Sequence, residues 1–361
     1  MEMKFALLSA DPSHKVRFKI NCEQGDCTSF LNWVDIWGGV HLSFEALRKE
    51  DNSYLKGFDV VMMSGHPHYI QDVTRIAGEL KGTEAVTMFY PEGSLQLYDA
   101  SMYQFHPEYY EAWNACDIVS SAEEDKLGYY RSYLKGNTIA RFIHVPCTAG
   151  MTEGKYLLPR EKKQRYSVVY GDNNPNHPGV AIACAEKLGL PVVTVAIEPG
   201  RIADFKKVFP GIPFHPQTKL SQAAFLRVLG QSAVHFYPTE WIGTARQQIA
   251  CAIAGTPCIG NHDSHTQRRL YPKELAFDIY DIEGMVGAAR RLLEDGEWYN
   301  LVVREAFEKA GFYGLEATKG RFMEAVETAR EMKRTRLSGE KIEIVIEERR
   351  RAPGVLTEAV G

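Results

Sequence analysis

One short segment around residue 240 joins an acid to a glycine at the start of an apolar helix. The sequence YPTEWIGTARQQIACAIAGTPCIG spans 237–260 and puts Glu240 three residues before Gly243. The first turn of a helix leaves backbone N–H groups unpaired at the positive end of the helix dipole, where a phosphate binds. Thr244 suits the cap of that turn, and Gly243 lets a ligand approach the backbone. Since the Glu240 carboxylate accepts hydrogen bonds from sugar hydroxyls, the segment favours a nucleotide sugar, although a surface acid and a turn glycine explain the spacing equally well.

Short apolar runs alternate with amphipathic segments along most of the chain. This alternation predicts parallel strands covered by helices on both faces. The segment WGGVHLSFEALRKE (37–50) is predicted to be one of the helices, opened by its glycines. The predicted strands are 4–10, 57–65, 84–90, 117–122 and 138–146 in the first half, and 166–171, 191–197, 212–216, 233–238, 256–261 and 276–281 in the second.

A stretch rich in turn formers and charge interrupts this alternation near the middle of the chain. We therefore predict two doubly wound α/β domains, at 1–148 and 166–325, joined by a linker at 149–165. Residues 326–361 are charge-dense and are expected to form a terminal helix or tail. Two such domains create a cleft between the carboxyl edges of their sheets, where ligands of this fold class bind.

The composition narrows the class of protein. With 361 residues, 45% hydrophobic residues and a net charge of −4, the chain reads as globular, with no global attraction to nucleic acid. The seven cysteines are scattered and mostly lie in apolar runs, which indicates reduced, buried thiols and no metal site. No apolar run is long enough to span a membrane, and the N-terminus lacks the features of a signal peptide, so we expect a cytoplasmic protein.

The segment at 237–260 resembles the donor-binding signature of GT-B glycosyltransferases, in particular retaining family four. That signature has a Pro-Ser-x-x-Glu loop, a glycine three residues after the glutamate, a second glutamate eight residues after the first, and an Ala-x-Gly-x-Pro-Val-Ile strand entry. The corresponding residues are Pro238, Glu240, Gly243 and Gln248, followed by AIAGTPCIG. The likeness covers most of 1–325.

The resemblance implies a GT-B fold of two Rossmann-like domains and a role for each matched residue. Glu240 would contact the donor sugar, Gln248 the nucleotide ribose, and Gly243 and Thr244 the diphosphate. Gly171 matches the glycine after the first strand of the donor domain. Members of the family need no metal ion and transfer the sugar with retention of configuration. Gly39, in the pair Gly38-Gly39, is similar to the family's first-domain glycines and is assigned to the donor site as well.

The chain departs from the family where cations normally neutralise the diphosphate. The family has Gly-Arg and then Lys-Gly, whereas YGDNNPNHPG places Asp172 after the glycine and offers His177 as the nearest basic group. A carboxylate facing a diphosphate is unfavourable. Arg246, Arg268 and Arg269 are therefore the candidate cations, with the ordinary alternative of solvated surface arginines.

The first domain differs as well. Tyr90 and Glu92 stand in the neighbourhood where the family places a histidine near the reacting sugar. His66 follows the preceding predicted strand and is our candidate catalytic histidine, with His68 close by. A structural histidine bonded to backbone is an equal alternative. Three further residues after the strand TPCIG are candidates for contact with sugar or phosphate, namely Asn261, Asp263 and His265.

The leading hypothesis is a glycosyltransferase that uses a UDP- or GDP-sugar as substrate, with no bound cofactor, and a hydroxyl-bearing acceptor. A first alternative is a viral-type enzyme that modifies a hydroxymethylated DNA base. The basic segments KRTR and ERRR and the aromatic segment SMYQFHPEYYEAW would then contact DNA. A second alternative is a catalytically silent GT-B-like protein that binds nucleotide sugars.

Overall fold

A computed structural model describes residues 3–17, 31–91, 107–144, 154–171, 176–217, 220–239 and 246–338. Within these ranges the chain forms two six-stranded sheets in which all paired strands are parallel. The predicted fold class, two doubly wound α/β domains, is confirmed.

The first sheet has the strand order β2-β1-β3-β4-β5-β6. Its strands are buried along nearly their whole length because helices cover both faces, which is why they read as continuous apolar runs. The elements of this half are β1 (Phe5–Ser9), α1 (Asn32–Ile36), β2 (Val40–Ser43), α2 (Phe44–Leu47), β3 (Val60–Ser64), α3 (Ile70–Leu80), β4 (Val86–Tyr90), α4 (Pro107–Ala115), β5 (Ile118–Ser121), α5 (Leu127–Tyr133) and β6 (Ile139–Phe142).

The second sheet has the strand order β12-β11-β10-β7-β8-β9. Its strands are β7 (Gln164–Tyr170), β8 (Val192–Val195), β9 (Phe214–Gln217), β10 (Ser232–Tyr237), β11 (Cys258–Asn261) and β12 (Ala276–Phe277). Its helices are α6 (Pro178–Lys187), α7 (Pro199–Val208), α8 (Gln222–Gln231), α9 (Arg246–Ala254), α10 (His265–Leu270), α11 (Ile282–Glu294) and α12 (Gly296–Ala310).

The last described helix, α13 (Leu315–Ser338), returns to the first sheet. Its residue Phe322 is fully buried, with ring centroids 5.0 Å from Trp33 and 5.1 Å from Trp37. A predicted boundary at residue 325 therefore falls inside a single helix, and that helix completes the core of the first domain. The predicted terminal helix exists over 326–338, and residues 339–361 lie outside the described ranges.

The prediction of one helix over 37–50 is wrong. The chain forms β2 there, with Val40 paired to Ala6 and Leu42 to Leu8, and the short α2 follows. Alternating apolar residues over so few positions suit a strand or a helix equally. The free edge of β1 decides between them, because pairing there satisfies the backbone hydrogen bonds of both strands.

Four cysteines of the described chain are buried free thiols, as predicted: Cys116, Cys184, Cys251 and Cys258. Cys251 and Cys258 lie with the buried His235 in a cluster whose possible ligand atoms are within 4.8 Å of one another. Burial lowers the pKa of His235 to about 4, so its imidazole is neutral at pH 7. No helix among the described residues is long and apolar enough to cross a bilayer.

Candidate functional site

The carboxyl edge of the second sheet contains a topological switch point between the neighbouring strands β7 and β10. The connection through α6 leads from β7 to β8 on one side, whereas the connection through α9 leads from β10 to β11 on the other. The loops after β7 and β10 therefore diverge and leave a crevice at this edge, which is where open α/β sheets bind ligands. In the sequence, residues 238–245 join the end of β10 to the first residue of α9.

Hydrogen bonds tie three loops together at this crevice. The Thr239 hydroxyl, just after β10, donates to Asn176 Oδ1 at 3.3 Å, and Asn261 Nδ2 donates to the carbonyl of Thr239 at 2.9 Å. Asn261 Oδ1 in turn accepts from the Asp263 backbone at 2.9 Å. Asn261 thus orders the edge beneath the site. Thr239 matches the serine position of the family's loop in the sequence, whereas Asn176 was not singled out from the sequence.

Gly171 ends β7 at the same edge. Its φ of +69° lies in the left-handed region, and a β-carbon there would be 3.4 Å from Asn176 Nδ2. The positive φ favours glycine at this turn, whereas 3.4 Å is an ordinary van der Waals contact. The position agrees with the predicted donor-binding role of Gly171, which stays a prediction.

Several predicted donor residues cannot be placed from the structure. Glu240, Gly243 and Thr244 lie outside the described residues, as does Asp172. Arg246 is described as the exposed first residue of α9, next to the predicted diphosphate site.

His177 precedes α6 with a φ of +41°, an uncommon conformation for a residue with a side chain. Its ring centroid lies 5.6 Å from that of Tyr280, which is 63% exposed beside the start of α11. A basic residue, His177, therefore lies at the N-terminus of α6, the helix that follows β7. Tyr280 lies beside it and was not singled out from the sequence.

Gln248 is fully buried in α9, and its amide is bonded within the protein. Its Nε2 donates to Gln267 Oε1 at 2.8 Å, and its Oε1 accepts from the Ser264 hydroxyl at 2.9 Å. Gln267 Nε2 donates to the carbonyls of Cys258 and Leu275. The network joins α9 to the start of α10 and to β11. A ribose contact for Gln248 stays a prediction, and it requires this network to open.

Arg268 and Arg269 on α10 contact carboxylates of the first domain. Arg268 Nη2 donates to Asp125 Oδ2 at 2.6 Å, and Arg269 Nη2 donates to Glu124 Oε2. The Arg269 guanidinium also stacks on Phe312, 3.8 Å from the ring centroid. We call these two pairs the interdomain clasp. The predicted diphosphate role of either arginine requires its clasp bond to break.

His265 supports the clasp from the first residue of α10. Its Nε2 lies 3.7 Å from Glu124 Oε2, and its ring centroid is 6.1 Å from that of Phe142 at the end of β6. Burial lowers the pKa of His265 despite the acids beside it. The predicted contact of His265 with sugar or phosphate stays a prediction. Its observed neighbours are Glu124 and Phe142 of the first domain and Arg269 on its own helix, at 3.5 Å.

His66 lies directly after β3, at the carboxyl edge of the first sheet. Its Nδ1 accepts from the His68 backbone at 3.3 Å, and its ring centroid lies 5.0 Å from that of His68. Gly65 allows the chain to turn there, since a β-carbon would lie 2.3 Å from the buried ring of Phe89. The partly exposed His66 is therefore held at an edge where ligands bind, and its catalytic role stays a prediction.

Gly39 does not support the role assigned to it. It precedes β2 at the amino edge of the first sheet, opposite the edge where ligands bind. A β-carbon on Gly39 would lie 2.5 Å from the carbonyl oxygen of Phe5, the first residue of β1. Close packing of two backbones explains this glycine, and a donor-binding role is corrected accordingly.

Glu123 is a buried acid next to the clasp that the sequence did not distinguish from its neighbours in SSAEEDK. It is 4% exposed, and burial together with Asp125 raises its pKa to about 8. The carboxyl group is therefore mostly protonated at pH 7. Lys126 and Arg268 lie close enough to oppose this shift in part.

Glu123→Gln is expected to make the protein less sensitive to alkaline pH. The folded-state pKa of Glu123 lies above its unfolded value. Below about pH 4 the carboxyl group is protonated in both states and does not change the free energy of unfolding. As the pH rises towards 8, Glu123 lowers the free energy of unfolding. The glutamine variant should gain about 3 kcal/mol relative to wild type between pH 5.5 and 8. Urea unfolding at both pH values measures this. An equal free-energy difference at both would contradict it.

No family model matches the chain, and no curated protein matches its sequence. Several solved structures are similar to the chain in fold. A sucrose-phosphate synthase from Thermosynechococcus elongatus is 13% identical with a TM-score of 0.64, over 94% of this chain and 100% of that one. An α-glucosyltransferase in complex with UDP-glucose and DNA containing an abasic site is 11% identical with a TM-score of 0.59, over 91% and 99%. A UDP-forming α,α-trehalose-phosphate synthase from Burkholderia xenovorans is 12% identical with a TM-score of 0.60, over 79% and 77%.

The chain has the GT-B fold. The similarity extends over both domains in all three structures, so the GT-B resemblance drawn from the segment at 237–260 is confirmed for the architecture. In this GT-B chain the switch-point crevice at β7 and β10 belongs to the second domain, and His66 belongs to the first.

Proposed function

We propose that this GT-B protein is a glycosyltransferase that moves a sugar from a UDP-sugar to a hydroxyl group. The observation that carries the proposal is the switch point of the second sheet, where β10 ends on one side of the gap and α9 begins on the other. The sequence that joins these two elements contains PTEWIGT, so we assign its acid and its helix entry to the crevice where open α/β sheets bind ligands. The UDP and UDP-glucose named for structures of the same fold support that donor class.

The donor contacts follow from the chemistry of each residue. Glu240 accepts hydrogen bonds from the sugar hydroxyls, and the backbone N–H groups at Gly243 and Thr244 bind the diphosphate. Arg246 lies beside the same crevice and adds positive charge for the leaving group, and His177 lies there as a hydrogen-bonding group. Charge neutralisation by a helix end and basic side chains agrees with transfer that needs no metal ion.

The transfer is proposed to retain the anomeric configuration. The bond from the sugar C1 to the phosphate oxygen breaks, and the bond to the acceptor oxygen forms on the same face. The hydroxyl proton passes to the leaving phosphate oxygen. His66 lies at the edge of the first sheet and is proposed to contact the transferred sugar.

A DNA base is a second candidate acceptor. One observation favours it, namely the α-glucosyltransferase of the same fold in complex with UDP and a 13-mer DNA containing a HMU base. In the basic segment KRTR, Lys333 is buried and Arg336 donates to the carbonyl of Lys81, so Arg334 is the exposed cation that this segment offers to DNA. In the aromatic segment, Tyr109 and Trp113 are core residues, and ERRR lies outside the described residues.

Thermal unfolding with UDP and UDP-glucose tests the donor site. A ligand at about a hundred times its dissociation constant should stabilise the wild type by about 2.7 kcal/mol. Glu240→Ala is expected to keep the stabilisation by UDP and to lose the additional stabilisation by the glucose moiety, because the carboxylate contacts the sugar alone. Glu274→Ala removes an exposed acid before β12, at the opposite edge, and serves as the matched control.

Two outcomes separate the hypotheses. Equal stabilisation of Glu240→Ala and wild type by UDP-glucose would contradict the sugar contact. Stabilisation of the wild type without release of UDP in the presence of acceptor would favour the silent binding protein over the enzyme.

A further inference from the structure

A chain of polar side chains lies where β1 and β2 end, outside the site described above. Ser9 is the last residue of β1 and is paired with Ser43, the last residue of β2. After β1 the chain turns back, and Val16 pairs antiparallel with His41 of β2. This turn encloses the His41 ring, which has no exposed surface.

Both ring nitrogens of His41 are hydrogen-bonded to serine hydroxyls. Nε2 lies 2.8 Å from Ser9 Oγ, and Nδ1 lies 2.8 Å from Ser13 Oγ. Burial lowers the pKa of His41, so the ring is neutral at pH 7 and carries one proton. One serine must therefore donate to the ring, and the other must accept from it.

The backbone around Asp11 sets the direction of this chain. The Asp11 N–H donates to Ser9 Oγ at 3.0 Å, which leaves the Ser9 proton for His41 Nε2. The ring then donates from Nδ1 to Ser13 Oγ, and the Ser13 hydroxyl lowers the pKa of the Asp11 carboxyl group. The Ser13 N–H also donates to Asp11 Oδ1 at 2.8 Å. The result is an ionised, partly buried carboxylate with a fixed orientation.

The other charged groups packed around this chain are paired among themselves. Lys15 Nζ lies 2.9 Å from Glu50 Oε2, and His14 Nε2 lies 3.5 Å from Glu50 Oε1. His14 Nδ1 accepts from the Ser43 backbone at 3.0 Å. The Asp11 carboxylate accepts from the Ser13 N–H at 2.8 Å, and Ser13 is the largest cause of its lowered pKa.

Asp11 lies at the switch point of the first sheet. β1 and β3 are neighbours, and the chain leaves β1 towards β2 on one side and leaves β3 towards β4 on the other. The crevice at this carboxyl edge is therefore flanked by Asp11 after β1 and by His66 after β3. The proposed donor occupies the crevice of the second sheet, so we assign the crevice of the first sheet to another ligand.

We propose that Asp11 binds a hydroxyl group of the acceptor, and that the Ser9–His41–Ser13 chain positions its carboxylate. The acceptor is a neutral, hydroxyl-rich molecule, because an ionised carboxylate accepts hydrogen bonds from hydroxyls and repels anions. The inference rests on the proposed function, since an acceptor site has a purpose only in a transferase. The Asp11 carboxylate is the group that contacts the acceptor. Ser13 acts on that carboxylate, and His41 is a positioning residue.

The test uses UDP-glucose as donor and molar glycerol as the acceptor probe. The two products, glucosylglycerol and free glucose, report transfer and hydrolysis in one reaction. Asp11→Asn should lower the ratio of glucosylglycerol to glucose at least tenfold while UDP-glucose still raises the unfolding temperature. Asp51→Asn is the matched control: Asp51 Oδ1 accepts from the Ser53 N–H at 2.9 Å in the same two-residue pattern, before the start of β3. Its ratio should equal that of wild type.

Ser13→Ala gives a readout that a purely structural role would not change. Loss of the hydroxyl raises the pKa of Asp11, so the acidic limb of the transfer-to-hydrolysis ratio should move to higher pH. An unchanged limb overturns the positioning chain, and an unchanged ratio in Asp11→Asn overturns the acceptor site. Hydrolysis by wild type without any glucosylglycerol also overturns it. If wild type neither binds nor cleaves UDP-glucose, the proposed function itself fails.

Discussion

Lys333→Ala is expected to lower the free energy of unfolding by about 3–5 kcal/mol, the cost of leaving a buried charge without its partner. Lys333 Nζ, 3% exposed on α13, donates to Asp117 Oδ2 at 3.0 Å, to the carbonyl of Leu80 at 3.2 Å and to the carbonyl of Ala85. Asp117 also accepts from the backbone and the hydroxyl of Thr87, each at 2.9 Å. The alanine variant takes the nearest cation away from this carboxylate, which keeps Thr87 and the Arg336 guanidinium 3.7 Å from its Oδ1. The lost bonds to Leu80 and Ala85 loosen α13 from the first sheet.

Urea unfolding of the full chain measures the effect. Arg334→Ala, an exposed position next to Lys333 on α13, is the control and should stay within about 0.5 kcal/mol of wild type. The double variant Asp117→Asn/Lys333→Met removes both charges and should recover most of the loss, since a neutral pair of similar volume needs no ion pairing. A single variant as stable as wild type would show that the ion pair does not hold α13 in place.

Gln248→Glu, which restores the residue usual in the resembling family, is expected to destabilise the protein in a pH-dependent way. Gln267 cannot turn its amide to compensate, because its Nε2 donates to two backbone carbonyls. A glutamate at 248 can donate to Gln267 Oε1 only when it is protonated. The site therefore raises the pKa of the new carboxyl group, and the cost at pH 7 is about 3–4 kcal/mol.

The sign of the pH dependence distinguishes this mechanism. A folded-state pKa above the unfolded one means that the variant is nearly as stable as wild type below about pH 4. It then loses about 1.4 kcal/mol per pH unit above that value. Gln231→Glu, exposed at the end of α8, is the control and should show no such slope. A Gln248→Glu variant that is stable at pH 8 and binds UDP more tightly would instead support the ribose role.

The sequence was sufficient for the architecture because the fold depends on local patterns. Buried parallel strands need apolar side chains on both faces, so FALLS and VVMMS identify β1 and β3 without further information. The alternation of such runs with amphipathic helices predicts the two sheets. Turn residues after strands place His66 and Gly171 at carboxyl edges, where the structure has them.

The sequence was insufficient to assign a residue's role where the same local pattern is compatible with two different structures. Gly39 precedes an apolar segment much as a glycine of a ligand loop does, and the side of the sheet on which it lies depends on β2 being a strand. In the same way, Arg268 and Arg269 read as free cations until the clasp shows their carboxylate partners. The family resemblance predicted the type of residue at the site, and it did not show which of these residues already have partners within the protein.

The sequence alone thus determined the two-domain α/β architecture and the segment that enters α9, because periodicity and turn chemistry act over a few residues. Tertiary structure decided the ionic and amide networks. Lys333 lies 216 residues from Asp117 in the chain, and Gln248 lies 19 residues from Gln267, so no local pattern relates either pair. The long separation also explains why the basic segment KRTR could be interpreted as a nucleic-acid-binding tail, although it holds the last helix to the first sheet. Burial decides which charged groups pair, because a charge removed from water is costly unless the fold places an opposite charge beside it.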